Sequence, residues 1–237
     1  MSILSPVLTF LRIALLPLLI VFTASAPEAY STLLNARFYP AIPWSVLIIG
    51  GYMFLWVKFY KGGILSRGAQ YRRECFRSTV PGRDPFKWGM LTGGLFAISI
   101  FCILLLLFRT FRIPVTQLPL TGLPPYMVIP FLLKLSVVAG ISEEVGFRGY
   151  MQFPLEKKFG KGAAILITTL FFIIAHLGHL EFLYLIPIYI LYSFMLGVIA
   201  HYTKSLLPSI LLHSVFDFTV FMCYYIFGGR GNIKTNQ

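Results

Sequence analysis

Runs of about twenty apolar residues, parted by short basic segments, recur along the whole 237-residue chain, and no other feature limits its fold as tightly. A helix of that length crosses roughly 30 Å of hydrocarbon, and there its internal hydrogen bonds satisfy the backbone. Seven runs are read, at about 5–25, 41–60, 88–109, 126–149, 162–179, 182–201 and 205–227. Charged residues make up 12% of the chain and mean hydropathy is +0.80, whereas a soluble domain carries about twice that charged share. The expected fold class is all-α, a polytopic transmembrane helical bundle of about seven spans. The first run imitates a signal peptide, with Arg12, apolar residues 13–22 and Ala24-Ser25-Ala26. The late Arg12 and the number of later spans favour a retained helix.

A net charge of +12 suits nucleic acid on its face, but the Lys and Arg sit between apolar blocks, where they meet lipid headgroups. The expected partners are therefore membrane lipids and no nucleic acid. The 58–87 segment holds Lys58, Lys61, Arg67, Arg72, Arg73, Arg77, Arg83 and Lys87, and its side gains Arg148, Lys157, Lys158, Lys161 and Lys204. Only Arg37, Arg109, Arg112, Arg230 and Lys234 fall opposite. That bias predicts a multi-pass cell-membrane protein with a cytoplasmic N-terminus. Tyr71, Phe76 and Phe86 among the bases make 58–87 a basic amphipathic loop suited to anionic headgroups. Cys75, Cys102 and Cys223 form no disulfide framework or zinc-ribbon spacing.

The chain has only eight acidic residues. Glu28, Glu74, Asp84, Glu156 and Glu181 are assigned to loops or helix ends, which leaves Glu143, Glu144 and Asp217 in or near spans. A charge at the bilayer centre costs about 2.5–3.5 kcal/mol on insertion scales, so these groups face a protein interior or a cavity. Successive helical positions diverge by about 100°, so Glu143 and Glu144 point apart. Glu144 and Arg148, four residues apart, share a face, and that pairing keeps Glu144 ionised and structural. Glu143 then points elsewhere, as a candidate general base. Phe172 and His176 lie one turn apart on the fifth run. His213 and Asp217 repeat that spacing on the seventh, where the carboxylate fixes one ring nitrogen and exposes the other. His179 is expected at the membrane interface, and His201 is expected to be solvated. Ser142 has no base at a spacing that marks it as a nucleophile, and no His-Glu-x-x-His, Gly-x-Ser-x-Gly or phosphate loop occurs. Carboxylates and imidazoles from three spans can activate a water and hold the charge on an attacked carbonyl.

Glu143-Glu144-x-x-x-Arg148, Phe172-x-x-x-His176 and His213-x-x-x-Asp217, in this order on apolar segments, resemble the three motifs of the CPBP family. These are the CAAX prenyl endopeptidases and bacteriocin-processing and immunity proteins, also called the Abi family. The resemblance spans about 126–225. It implies an intramembrane endopeptidase acting on a membrane-associated or lipid-modified peptide or protein, with helices around a polar catalytic cavity. It also implies that Glu143 and His176 activate water and that His213 and Asp217 stabilise the oxyanion. Glu144 and Arg148 support the site, and Phe172 shapes it. One departure is Asp217, where the prenyl endopeptidases often have Asn. An ionised Asp cannot donate to an oxyanion; it is protonated, orients His213 or helps hold a metal. The chemistry runs either without a cofactor or around a divalent zinc held by Glu143, His176 and His213. The expected division is 1–125 as N-terminal transmembrane helices including the 58–87 loop, 126–227 as catalytic core, and 228–237 as a polar tail. A bacterial inner membrane is favoured. The competing readings are a catalytically inactive relative serving as an immunity or scaffold protein, and a proton-coupled transporter.

Overall fold

The computed structural model describes residues 44–77, 81–111, 125–177 and 182–228, with helical residues 8, 9, 11, 13, 15, 17–21 and 23 before them. The expectations about Arg12, the Ala24-Ser25-Ala26 segment, His179 and residues 229–237 lie outside these. The described elements are helices: α1 (Trp44–Tyr60), α2 (Ala69–Phe76), α3 (Arg83–Phe111), α4 (Pro125–Glu143), a π-helical segment (Glu144–Gln152), α5 (Phe153–His176), α6 (Phe182–Thr203) and α7 (Leu207–Gly228). No strand occurs among the described residues.

The chain is a helical membrane bundle. Arg83–Leu107, Val128–His176 and Leu185–Thr203 are long and apolar enough to cross a bilayer, and Val46–Tyr60 and Leu207–Cys223 are shorter apolar helices. Leu95, Ile98 and Leu106 of α3 and Leu166 and Leu170 of α5 are exposed. An outer surface this apolar matches lipid, where no water needs to be met. Inside, Ile100 and Leu104 of α3 pack with Tyr192 and Leu196 of α6 and Leu212 and Phe216 of α7. A second cluster joins Phe147 and Met151 to Leu155, Ala164 and Phe172.

Two features differ from the sequence reading. Residues 150–161 are not a loop between two spans. The backbone stays helical from Pro125 through the π segment into α5, and the break falls at Gly160 (φ 79°, ψ 167°). That left-handed φ is open to glycine at little cost, so the chain turns within one residue. Glu156, assigned to a loop or helix end, sits in the first turn of α5. Its Oε2 is 2.7 Å from Arg77 Nη2, and its Oε1 accepts from Gln152 Nε2 at 2.8 Å. His201, expected in solvent, is mostly covered, with Nδ1 3.3 Å from Glu156 Oε1. The physical cause is one close-packed junction. Arg77 also donates to Ala200 O, and Leu206 N donates to Arg77 O. The 58–87 segment, the start of α5, the end of α6 and the start of α7 thus meet at one end of the bundle.

Two glycines allow the closest approaches. A Cβ on Gly140 would collide with Ser214 Oγ and lie 3.1 Å from Ile210 O, so α4 and α7 touch nearly backbone to backbone one turn before Glu143. A Cβ on Gly149 would lie 2.5 Å from Cys75 O, which seats α2 against the π segment.

Candidate active site

Glu143 is the last residue of α4 and Glu144 the first of the π segment. π-Helical turns are rare and recur at functional sites; here all nine residues of the segment are buried. The two carboxylates part as their helical positions require. Glu144 is fully buried, with Oε1 3.2 Å from Arg148 Nη1, itself fully buried. Arg148 Nη2 donates to Ser193 O and Ser193 Oγ at 3.0 and 2.9 Å. Glu144 Oε1 also accepts from His213 Nδ1 at 2.8 Å, a bond across to α7 that Gly140 makes reachable.

Glu143 turns to the more accessible side, with 15% of its side chain exposed, beside His176 at 21% and Asp217 at 18%. Its Oε2 is 3.6 Å from His176 Nε2 and 3.9 Å from His213 Nε2, and that oxygen has no hydrogen-bond partner among the described residues. His176 Nδ1 lies 2.8 Å from Phe172 O. A carbonyl only accepts, so Nδ1 carries a proton and Nε2 faces Glu143. The imidazole stacks on Phe172, centroids 4.4 Å apart and planes 27° apart, while the Arg148 guanidinium lies 4.9 Å from the Phe172 centroid. Phe172 is therefore the wall between the buried ion pair and the accessible imidazole.

Asp217 Oδ2 lies 3.4 Å from His213 Nε2. The sequence reading left one nitrogen of His213 exposed; instead Nδ1 is taken by Glu144 and Nε2 faces Asp217 and Glu143. Ser142 is buried and donates to Val138 O at 2.7 Å. All seven residues singled out by the motifs come together from α4, the π segment, α5 and α7. The spacing did not reveal the share of α6. Ser193 is a polar residue at membrane depth, which is a usable signal, but nothing in the sequence ties it to Arg148.

Zinc with bonds of 2.0–2.1 Å sets tetrahedral ligands about 3.4 Å apart, and Glu143 Oε2 is farther than that from both Nε2 atoms. Among the described residues no group of three or more His, Cys, Asp or Glu side chains is arranged to hold a metal ion.

The fold and this cluster define a helical membrane protein with a glutamate–histidine centre held between its spans. Residues 125–219 match the family model described as Type II CAAX prenyl endopeptidase, Rce1-like. That match agrees with the resemblance carried by the three motifs and supports, at family level, a CAAX-type intramembrane protease domain in this part of the chain. No curated protein and no solved structure matches the chain.

Proposed function

We propose that the protein is an intramembrane endopeptidase that hydrolyses a peptide bond of a membrane-associated or lipid-modified substrate with water activated by Glu143 and His176. The observation that carries this reading is the unpartnered Glu143 Oε2 facing His176 Nε2 across 3.6 Å. Both atoms are acceptors, and one water spans them by donating a hydrogen to each. Its lone pairs then point away from both, toward an incoming carbonyl carbon. As the oxygen attacks, its proton passes to Glu143, and the same carboxyl later returns it to the leaving amine.

The negative charge that develops on the carbonyl oxygen needs a donor. His213 has carboxylates at both ring nitrogens and serves as the imidazolium: its Nδ1–H goes to Glu144, and its Nε2–H, facing Asp217 and Glu143, is the donor available to the oxyanion. Asp217 serves as the acceptor that orients His213, not as a donor. Glu144 and Arg148 hold His213 from the buried side, with Ser193 fixing Arg148. Glu144, Arg148 and His213 are each held by two contacts, which is the preorganisation such a site needs.

The test is Glu143→Gln, which keeps the side-chain shape and removes the base. In purified protein in proteoliposomes, the variant should fold as the wild type does and lose cleavage of a farnesylated peptide ending in a CAAX sequence. Cleavage by this variant at the wild-type rate would contradict the proposal.

A further inference from the structure

Resting on the endopeptidase reading, we infer that Gln152 of the π segment is a positioning residue of the site: its amide holds that segment in register with α6, and the register keeps Arg148 on Glu144. Three polar rungs join the two elements. Arg148 Nη2 donates to Ser193 O and Ser193 Oγ at 3.0 and 2.9 Å. Gln152 Nε2 donates to Gly197 O at 2.8 Å. His201 Nδ1 lies 3.3 Å from Glu156 Oε1. Each rung joins residues 45 apart and follows the last by about one helical turn, so the stretch from Arg148 to Glu156 and α6 run side by side in the same direction.

Gln152 is fully buried, and a buried amide is costly unless its hydrogens are used. Both are. One goes to Gly197 O on α6 and the other to Glu156 Oε1, at 2.8 Å, one turn further along its own chain. Glu156 is anchored in turn by Arg77 Nη2 at 2.7 Å, and Arg77 Nη1 donates to Ala200 O at 3.0 Å, which ties the outer rung to α6 a second time. Arg148 divides its guanidinium between Glu144 Oε1, 3.2 Å from Nη1, and Ser193. A slide of the π segment along α6 would therefore force Arg148 to give up one of them. Gln152, one turn away, opposes that slide. With its rung in place Arg148 keeps both partners, and Glu144 Oε1 stays aligned on His213 Nδ1 at 2.8 Å.

Gln152→Met keeps an unbranched side chain of similar length and removes the donor. In proteoliposomes with the farnesylated CAAX peptide, it should lower kcat by up to about a hundredfold, as a small displacement transmitted to the reacting groups does, and leave KM unchanged. Ser193→Ala weakens the neighbouring rung. Because both rungs serve Arg148, the loss in the double variant should be smaller than the product of the two single losses, whereas two separate structural roles would multiply. Gly197→Ala disturbs the Gln152 rung from α6 without deleting a polar group, since its Cβ would lie 3.0 Å from Gln152 Oε1 and 3.1 Å from Ile165 Cγ2. It should lower kcat in the same direction, and it carries the test if the melting temperature in detergent shows that Gln152→Met does not fold. Unchanged kcat in folded Gln152→Met, unchanged kcat in Gly197→Ala where that variant stands in for it, or a double loss equal to the product of the single losses each overturns the inference. A Glu143→Gln control keeps the two proposals apart. If it cleaves, or if the wild type does not, the endopeptidase reading fails and takes this inference with it. If the wild type cleaves, Glu143→Gln is inactive and folded Gln152→Met is fully active, only the role of Gln152 fails.

Discussion

Adjacent glutamates with opposite environments make the sharpest residue-scale contrast. Glu143 is 15% exposed and sets its Oε2 between two imidazoles; Glu144 is fully buried, with its Oε1 held by Arg148 and His213. Glu143→Gln should therefore cost activity alone, about 10²–10⁴-fold for a general base, with an unchanged melting temperature. Glu144→Gln should cost stability as well, about 3–5 kcal/mol for a buried partner removed from its charge, read as a lower melting temperature in detergent. Equal melting temperatures for the two variants would contradict the division of roles. Outside the spans, Cys75 makes an independent check on packing. It is fully buried under the π segment, and burial pushes its thiol up to about 11. At neutral pH it stays protonated and covered, so a maleimide should label it only after the protein is denatured. The i, i+4 spacings made the Glu144–Arg148 pair legible in the sequence, because it is a local contact. The His213–Glu144 bond spans 69 positions, and no local pattern announces it.

At the scale of elements, the site depends on how closely α4 lies against α7. Gly140→Val would drive a branched side chain into Ser214 and Ile210, and overpacking of that kind costs about 1–3 kcal/mol. Because the contact lies one turn from Glu143, activity should fall further than stability does; full activity in a folded variant would show that the approach is not needed. Apolar length made the long helices legible. The π segment and the turn at Gly160 were not, since both are single backbone departures inside an otherwise helical sequence. His201, expected in solvent, was misread for the same reason. Once residues 150–159 are helical, Glu156 faces Arg77, Gln152 and His201 instead of water.

For the whole molecule, composition alone separates a bilayer protein from a soluble one, and the ordered motifs point to the family that residues 125–219 match. What composition cannot give is the sorting of polar groups into an accessible face (Glu143, His176, Asp217) and a buried support (Glu144, Arg148, His213), which exists only after four elements pack. On the proposed route Glu143 and His176 activate the water without a metal ion. Incubation with a zinc chelator should accordingly leave the rate unchanged, and activity restored by added zinc after such treatment would point to a closer ligand set. The central claim is that Glu143 generates the attacking water, and single-turnover cleavage of the farnesylated CAAX peptide tests it most directly. The wild type and Glu143→Gln should be compared in the same proteoliposomes, with folding checked by melting temperature. The account predicts cleavage by the wild type and none measurable by the folded variant; equal rates, or no cleavage by either, would contradict it.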